Sequence, residues 1–229
     1  MGGSIRLMTS NLLHGGADVD AYRRLLNRLE PDVVVTQELG FGYVEVLTER
    51  YDNHYLHPSD DFTGRGIATH LDAEFGDIPM PARFGTSATL DFGGKPWNLA
   101  GVHLLNPIGF PWWTSVTTRS GQLEAIDLWS QTVSGPSIVA GDFNASPRWP
   151  AYRHMAEGWT DLVAEHVSES GERPEKTWGW RPGWPRLLRI DHVFGRGVVA
   201  NDVSVVLIKG SDHDAVVVDL SLTSTDRSE

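Results

Sequence analysis

Ionisable and amide side chains lie next to six short apolar runs of this 229-residue sequence, five times just after the run and once, at residues 211–213, just before it. Folds commonly bring residues that are distant in sequence together by placing their side chains at one edge of a rigid sheet. Carboxylate and amide oxygens are the ligands that Mg²⁺, Mn²⁺ and Ca²⁺ prefer, and histidine exchanges a proton near neutral pH. The side chains in question are Asn11, Glu38, His103, Asp142, Asn144, Asp191, Asp212 and His213.

This set of residue types is suited to the hydrolysis of a phosphoester. A divalent cation neutralises phosphate oxygens, a carboxylate orients the attacking water, and histidine or asparagine donates a hydrogen bond to the developing charge. The sequence contains no cysteine, which excludes disulfides, thiolate zinc sites and a cysteine nucleophile. We therefore expect a metal held by oxygen ligands, with Mg²⁺ or Mn²⁺ favoured and Ca²⁺ as an alternative.

A framework of short strands and a few helices must position these side chains. An amphipathic helix is predicted over residues 18–30, because Asp18 can cap its start and Pro31 ends it. Many short strands with few helices favour one α/β domain, residues 1–229 with a core over residues 5–221, built on mixed sheets. Further helices are predicted over residues 122–133 and 150–156, and strands over residues 5–10, 33–38, 66–70, 87–90, 97–103, 137–141, 188–194, 203–208 and 215–220.

Each motif taken alone also has an ordinary structural explanation. Residues 141–144 are compatible with a plain turn and residues 211–214 with a plain loop. Glu38 alone is compatible with a solvated charge, and His103 alone with a structural histidine. Six such coincidences in this order favour the functional interpretation.

The ordered motifs resemble those of the endonuclease/exonuclease/phosphatase superfamily, which has the deoxyribonuclease-I-like fold. The most specific blocks are Gly-Asp-Phe-Asn at residues 141–144 and Ser-Asp-His at residues 211–213. Arg119 with Gln122 also resembles the Arg-x-x-Gln that opens a helix after the histidine strand in many members. The resemblance covers nearly the whole chain and implies a four-layer α/β sandwich, with two mixed β-sheets flanked by helices.

The resemblance also implies a role for each matching residue. Glu38 would be the principal metal ligand, helped by Asn11 and Asp212. Asp142 would orient or deprotonate the attacking water, and Asn144 would hold a phosphate oxygen.

The histidines are implied to act on the phosphate and also indicate the branch of the superfamily. Asp191 would pair with His213, which would bind the phosphoryl group in the transition state, and His103 would contact the phosphate or protonate the leaving oxygen. Abasic-site endonucleases carry a carboxylate where this chain has Leu13, and they tend to have tyrosine at position 103. That branch is therefore disfavoured, and the chain looks more like the deoxyribonuclease-I and sphingomyelinase branches.

Two segments near the motifs are candidates for substrate contacts. Residues 104–118 contain no charged residue and are interpreted either as an apolar or stacking rim of the site or as a loop folded back on the core. Residues 173–197 carry six basic and two acidic residues interleaved with tryptophan, which suits a phosphodiester or, alternatively, arginine stacked on tryptophan at the surface. The substrate-binding candidates are Arg119, Trp112, Trp113, Trp178 and Arg181.

Charge and hydropathy limit the partners. Lys and Arg total 19 against 30 Asp and Glu, and the net charge of −11 excludes a uniformly basic coat for nucleic acid but not one basic face. No segment approaches the roughly 18 apolar residues of a membrane span. The start of the sequence lacks the apolar core of a signal peptide, so we expect a cytoplasmic protein, with secretion after removal of a leader as the alternative.

The sequence thus predicts a divalent-metal-dependent phosphodiesterase, first of all an endonuclease-type nuclease, with a nucleic acid as substrate and a monomer as the expected state. One alternative is an enzyme on another substrate, either a phospholipid (sphingomyelinase-like) phosphodiesterase or a small-molecule phosphatase. An alternative of another class is a non-catalytic binding domain on the same fold.

Overall fold

Twelve strands and five α-helices make up the part of the chain that a computed structural model describes, residues 3–108 and 112–223 without the side chain of Trp112. The helices are α1 (Val19–Leu29), α2 (Val44–Thr48), α3 (Trp112–Thr132), α4 (Pro150–Gly158) and α5 (Leu162–Glu169). The strands are β1 (Ile5–Asn11), β2 (Val33–Gln37), β3 (Asn53–His57), β4 (Arg65–Thr69), β5 (Ala73–Met80), β6 (Arg83–Phe92), β7 (Lys95–His103), β8 (Ser137–Asp142), β9 (Thr160–Asp161), β10 (Asp191–Arg196), β11 (Val198–Leu207) and β12 (Asp214–Leu222).

The strands form two mixed sheets of six strands each, in the orders β11-β12-β1-β2-β4-β3 and β5-β6-β7-β8-β10-β9. Each sheet has one parallel pair, β1 with β2 and β7 with β8, and its other pairs are antiparallel. A parallel pair needs a long crossover, and α1 and α3 supply the two crossovers. Two crossover helices are therefore enough for this topology.

Alternating side chains along the central strands create four layers. Leu7 on β1 and Ile138 on β8 point into the core between the sheets. Their neighbours Met8 and Val139 point outward, Met8 into the cluster formed with α1 and α2, Val139 into the one formed with α3 and α4. The predicted four-layer sandwich with two mixed sheets is confirmed.

The first helix begins and ends where the sequence predicts. The carboxylate of Asp18 accepts a hydrogen bond from the Ala21 amide at 2.9 Å, as an N-cap does. Glu30 ends the helix in a left-handed conformation with φ of 47°, immediately before Pro31.

Helix α3 begins at Trp112, whereas the sequence predicts a start at residue 122. Residues 114–118 are rich in β-branched side chains of low helix propensity, which explains the wrong boundary. The Ser115 hydroxyl donates to the Asn106 carbonyl at 2.9 Å and ties this first part of the helix to the preceding segment. The interpretation of residues 104–118 as a loop is therefore wrong for residues 112–118, which belong to α3, and residues 109–111 lie outside the described residues.

The elements that sequence patterns did not reveal lie mostly at sheet edges. Strand β5 is the edge of its sheet and contains Gly76 and Pro79, which an edge strand tolerates because its free side needs no ladder hydrogen bonds. Strand β3 is the edge of the other sheet, and the short α2, α5 and β9 were also missed. Within the described ranges, no helix has the length and apolar character needed to cross a membrane. The cytoplasmic location and the monomeric state stay predictions.

Candidate active site

Strand pairing gathers the polar strand ends at one edge of each sheet. In the parallel pair β7–β8, His103 lies opposite Asp142, and in the antiparallel pair β8–β10, Asp191 also lies opposite Asp142. In the other sheet the parallel pair β1–β2 places Asn11 opposite Gln37, one residue before Glu38. The predicted side chains therefore come from the same edge of the two packed sheets.

Asn11 links the two sheets at this edge and is completely buried. Its side-chain nitrogen donates to Glu38 Oε1 at 3.2 Å and to Asp142 Oδ2 at 3.1 Å. Its side-chain oxygen accepts a hydrogen bond from the Leu13 amide at 3.0 Å. In this orientation Asn11 holds the two carboxylates together, and ligation of a metal through its oxygen stays a prediction, since it needs the opposite amide orientation.

His213 is buried between two carboxylates. Its Nδ1 donates to Asp191 Oδ2 at 2.9 Å, and its Nε2 lies 3.8 Å from Asp142 Oδ2. Burial by itself lowers the pKa of the imidazole, but the charges of Asp191 and Asp142 outweigh it and raise the pKa of His213 to about 10. The ring is thus buried and held in one orientation by Asp191.

Asp142 is oriented by the residues that follow it. The Asn144 amide donates to Asp142 Oδ1 at 2.7 Å, and the Asn144 side-chain nitrogen lies 3.3 Å from Asp142 Oδ2 and 3.0 Å from the Leu104 carbonyl oxygen. Burial raises the pKa of Asp142 to about 7, against the opposing effect of the His213 cation. The amide hydrogens of Asn144 already have acceptors within the protein, so its contact with a phosphate oxygen stays a prediction.

His103 faces the same carboxylates from β7. Its Nε2 lies 3.4 Å from Asp142 Oδ2 and 3.8 Å from Glu38 Oε1. Burial, together with the positive charges of Arg83 and His213, holds the pKa of His103 well below its usual range. The contact of His103 with the phosphate and its protonation of the leaving oxygen both stay predictions.

Steric crowding explains why the Gly-Asp-Phe-Asn block begins with a glycine. Gly141 has φ of 147°, and a Cβ there would lie 1.9 Å from the carbonyl oxygen of Val102 on the paired strand. Only glycine allows β7 and β8 to approach so closely, and this approach brings His103 beside Asp142.

All the polar groups except Asn11 and Asp191 line one cleft of about 420 Å³. Asn11 and Asp191 lie just behind it and contact the groups that do. The walls of the cleft are largely apolar and aromatic, which is typical of a site for a small ligand or for part of a larger one. The apolar side chains on the walls include Phe62, Leu105, Ile108, Trp149, Trp178 and Trp180.

The acidic groups in the cleft fit a divalent cation. Asp212 Oδ2 accepts a hydrogen bond from the Trp178 indole at 3.1 Å, while Asp212 Oδ1 is buried without a hydrogen-bond partner among the described residues. A buried carboxylate oxygen without a partner is costly unless a ligand satisfies it. Glu38 lines the same cleft, so Glu38 and Asp212 provide the hard oxygen donors that Mg²⁺ or Mn²⁺ requires.

A second group that could hold a metal consists of Asp142, Asp191 and His213, whose possible ligand atoms all lie within 4.8 Å of one another. In the metal-free arrangement His213 Nδ1 donates to Asp191 at 2.9 Å, and a metal bound at this nitrogen would replace that hydrogen bond. The structure thus offers two places that could hold a divalent cation, this buried group and the pair of Glu38 and Asp212.

The substrate-binding candidate Arg119 lies outside the cleft. Its guanidinium donates to the carbonyl oxygens of Leu105 and, at 3.2 Å, of Phe143. Gln122 accepts a hydrogen bond from the Leu105 amide at 2.9 Å. Arg119 and Gln122 thus hold the backbone of the segment that follows His103, and they do not line the cleft themselves.

The aromatic and basic candidates divide into one that lines the cleft and two that do not. Trp178 lines it. Trp113 is 56% exposed on α3 and lies away from it, and Arg181 stacks 5.8 Å over the Trp184 ring outside it. The side chain of Trp112 lies outside the described residues.

Arg186 is a residue of the site that sequence patterns did not single out. Its guanidinium donates to the carbonyl oxygens of Asp212 at 2.7 Å and His213 at 3.2 Å. It also forms an ion pair with Asp214 at 2.6 Å and reaches the Ser211 carbonyl oxygen at 3.3 Å. Arg186 therefore clamps the turn that carries two of the candidate site residues.

The other basic residues of segment 173–197 also have internal partners in part. Arg189 is buried and pairs with Asp161 at 2.7 Å. Arg196 donates to the Gly158 carbonyl at 2.6 Å and stacks 3.9 Å over the Trp159 ring. With Arg186 and with Arg181, which stacks on Trp184, four of the six basic side chains have partners within the protein, and the positive surface expected from the sequence is smaller.

Three further residues of the cleft were not predicted as site residues. These residues are His14, Phe62 and Arg83. The backbone amide of His14 donates to Glu38 Oε2 at 2.9 Å, and the Nε2 of the His14 ring lies 3.3 Å from the same oxygen. Phe62 packs edge-on against His14 and 5.0 Å from the guanidinium of Arg83. The position of His14 three residues after Asn11 was a usable signal, whereas nothing in the local sequence marks Phe62.

A curated relative matches part of the chain. A UPF0294 protein of Klebsiella pneumoniae (strain 342) is 36% identical over 90 residues, which are 38% of this chain and 30% of the relative. The match thus spans about a third of the length of that relative.

Solved structures share the fold over nearly their whole length. D. rerio TDP2 complexed with single strand DNA product has a TM-score of 0.75 at 19% identity, covering 95% of this chain and 99% of that chain. The 3′ phosphatase NExo from Neisseria, in a variant form bound to product DNA hairpin, has a TM-score of 0.74 at 18% identity, with 96% and 99% covered. Sphingomyelinase C from Streptomyces griseocarneus has a TM-score of 0.69 at 16% identity, with 94% and 99% covered.

At these identities the similarity shows the fold, and the family is shown separately by the sequence. The model of the Endonuclease/Exonuclease/phosphatase family matches residues 8–213, which include every candidate catalytic and metal-binding residue. The chain therefore belongs to the endonuclease/exonuclease/phosphatase family.

Proposed function

We propose that the protein is a divalent-metal-dependent phosphoesterase that hydrolyses phosphodiester bonds by in-line attack of water, with nucleic acid as the favoured substrate. The observation that carries the proposal is the buried pair of His213 and Asp191, with His213 facing a cleft that also presents Glu38 and Asp212. A buried cationic donor beside hard oxygen ligands suits a phosphate bound together with a divalent ion.

The residues divide the chemistry between them. Glu38 and Asp212 would hold the divalent cation, which supplies charge neutralisation for the phosphate and a more acidic bound water. Asp142, held by Asn11 and Asn144, accepts a hydrogen bond from the attacking water and orients it.

The two histidines act on the phosphate. His213 donates from Nε2 to a phosphoryl oxygen, and Asp191 keeps its ring in the required tautomer and orientation. His103 donates from Nε2 to a second oxygen of the phosphate or to the leaving group. The charge that builds up on the phosphoryl oxygens is thus met by donors already in place.

Two observations rank the substrates. Similar structures include proteins bound to DNA, and the cleft is lined by aromatic rings, which favours a nucleic acid and an endonuclease-type nuclease. A phospholipid is the second candidate, because Ile108 is 79% exposed at the cleft and a similar structure is a sphingomyelinase. A non-catalytic domain is disfavoured because the polar groups are complete and mutually hydrogen-bonded.

A substrate panel with Mg²⁺, Mn²⁺ and Ca²⁺ tests the proposal. The panel contains single-stranded and plasmid DNA, RNA, bis-p-nitrophenyl phosphate, sphingomyelin vesicles and inositol phosphates. We expect Glu38→Ala and His213→Ala each to abolish hydrolysis while circular dichroism shows an unchanged fold. The matched control His154→Ala, at the surface beside Asp127, should keep full activity. Full activity in EDTA, or in either cleft variant, would refute the mechanism.

A further inference from the structure

We infer that the exposed rings of Phe62 and Trp180 form a stacking subsite for one unpaired nucleobase next to the bound phosphate. The inference rests on the proposed phosphoesterase function and specifies its substrate class, a single-stranded nucleic acid. The two rings are 46% and 62% exposed, yet both line the same cleft as His213 and Glu38. Large exposed aromatic side chains inside a cleft are typical of contacts with a ligand.

Phe62 is positioned by groups of the catalytic edge. Its ring meets the His14 ring edge-on, with centroids 6.1 Å apart and an interplanar angle of 73°. The guanidinium of Arg83 lies 5.0 Å from the centre of the Phe62 ring. His14 in turn contacts Glu38, so the Phe62 ring is held close to the proposed metal ligand.

Trp180 is positioned in a similar way from a different segment. Its ring lies 5.2 Å from the ring of Trp178, measured between centroids. The indole nitrogen of Trp178 donates to Asp212 at 3.1 Å. Each exposed ring thus contacts a residue that itself contacts a proposed metal ligand: Phe62 through His14 to Glu38, and Trp180 through Trp178 to Asp212. Both rings line the cleft that would hold the phosphate.

Charge and size favour one nucleotide over a duplex. Among the described residues that line the cleft, the positive groups are Arg83 and His213, whose pKa is raised, against the carboxylates of Glu38, Asp142 and Asp212. Duplex binding needs a row of cations along two phosphate backbones. The cleft volume of about 420 Å³ lies at the small end of ligand sites, which run from about 300 to 1,000 Å³.

The type of side chain distinguishes a base from a lipid. Stacking on aromatic rings is worth about 1–3 kcal/mol per base and tolerates any base, since every base has a π face. An acyl chain gains nothing specific from ring geometry. Both rings also have polar neighbours, Phe62 beside Arg83 and Trp180 beside Trp178, whose indole is hydrogen-bonded to Asp212. These surroundings suit the polar edge of a base.

The test compares three substrates of one sequence: a single-stranded oligonucleotide, its duplex, and a strand with base-free tetrahydrofuran residues. We expect the wild type to prefer the single strand. Phe62→Ala and Trp180→Ala should each lower kcat/KM on it by about 5- to 150-fold, the range that corresponds to the stacking energy. Each variant should lose at least about fivefold less kcat/KM on the base-free strand than on the natural one, and Trp180→Phe should restore most of the loss.

The matched control is Trp184→Ala, because Trp184 is 55% exposed, stacks with Arg181 and does not line the cleft. It should behave as the wild type. An equal loss on natural and base-free strands, a preference for duplex, or an effect confined to sphingomyelin vesicles would overturn the stacking subsite. If the wild type hydrolyses no phosphodiester with any of the metals, the proposed function fails as well. If it hydrolyses the base-free strand as fast as the natural one, only the subsite fails.

Discussion

Replacement of Arg186 tests whether the turn over residues 211–214 must be clamped for the site to work. The guanidinium of Arg186 donates hydrogen bonds to three backbone carbonyl oxygens of this turn and to the carboxylate of Asp214. The turn carries Asp212 and His213, the proposed metal ligand and phosphate donor. Alanine removes the charge and all the donors, whereas lysine keeps the charge but cannot reproduce the planar fork.

The magnitude follows from the burial of the ion pair, in which the side chains of Arg186 and Asp214 are 10% and 14% exposed. Removing one partner of a buried pair costs about 3–5 kcal/mol. Arg186→Ala should therefore lower the free energy of unfolding by about 3–4 kcal/mol, a large part of the roughly 5–15 kcal/mol of a typical domain. Arg186→Lys should lose only about 1–2 kcal/mol, the value of the hydrogen bonds to the carbonyls.

The two quantities to measure are unfolding in urea and the steady-state kinetics of the Arg186→Lys variant. Because a shift of about 1 Å in a catalytic group can cost a hundredfold, we expect kcat to fall about 10- to 100-fold with KM unchanged. Arg181→Lys is the control, since Arg181 belongs to the same segment but stacks on Trp184 outside the cleft. A kcat of Arg186→Lys within twofold of the wild type, or a change confined to KM, would refute the clamp.

Three further predictions concern single contacts. Asp191→Asn removes a charge that raises the pKa of His213. We therefore expect kcat at neutral pH to fall by about 10³- to 10⁴-fold and to recover in part at lower pH, where the imidazole is protonated again. A pH profile of kcat like that of the wild type would contradict this prediction. Arg189 holds the pKa of Asp161 below its usual value despite burial, so this pair stabilises the fold above about pH 4 and the stabilisation is lost as the pH falls further. Below about pH 4, the free energy of unfolding in urea should fall less steeply with decreasing pH for Asp161→Asn than for the wild type. An equally steep fall in both proteins would count against the role of the ion pair. Gly141→Ala places a Cβ 1.9 Å from a backbone oxygen, so the free energy of unfolding should drop by about 4 kcal/mol or more, and a wild-type melting temperature would argue against the close approach.

The repeating patterns of the sequence predicted the central elements well. Helix α1 was predicted with its cap at Asp18, because the apolar spacing and the capping chemistry are local. The buried strands β1, β2 and β8 were predicted from their short apolar runs. Such signals reside in a few consecutive residues and need no tertiary partner.

The missed elements depend on neighbours distant in the sequence. The first turns of α3 are held by contacts such as that of Ser115 with Asn106, against their own propensity. Strand β5 exists because β6 offers it a ladder, although Gly76 and Pro79 argue against a strand. Sequence periodicity cannot report a partner that supplies the missing stabilisation.

For the candidate site, the sequence by itself determined the chemistry: oxygen donors without cysteine, two histidines, and their positions at strand ends. The tertiary structure decided which charged side chains line the cleft and which pair with other residues of the protein. Arg186 and Arg189 belong to a segment that looks like a basic surface, yet they pair with Asp214 and Asp161, 28 residues away in each case. The physical reason is that a buried charge requires a partner, and only folding brings such partners together.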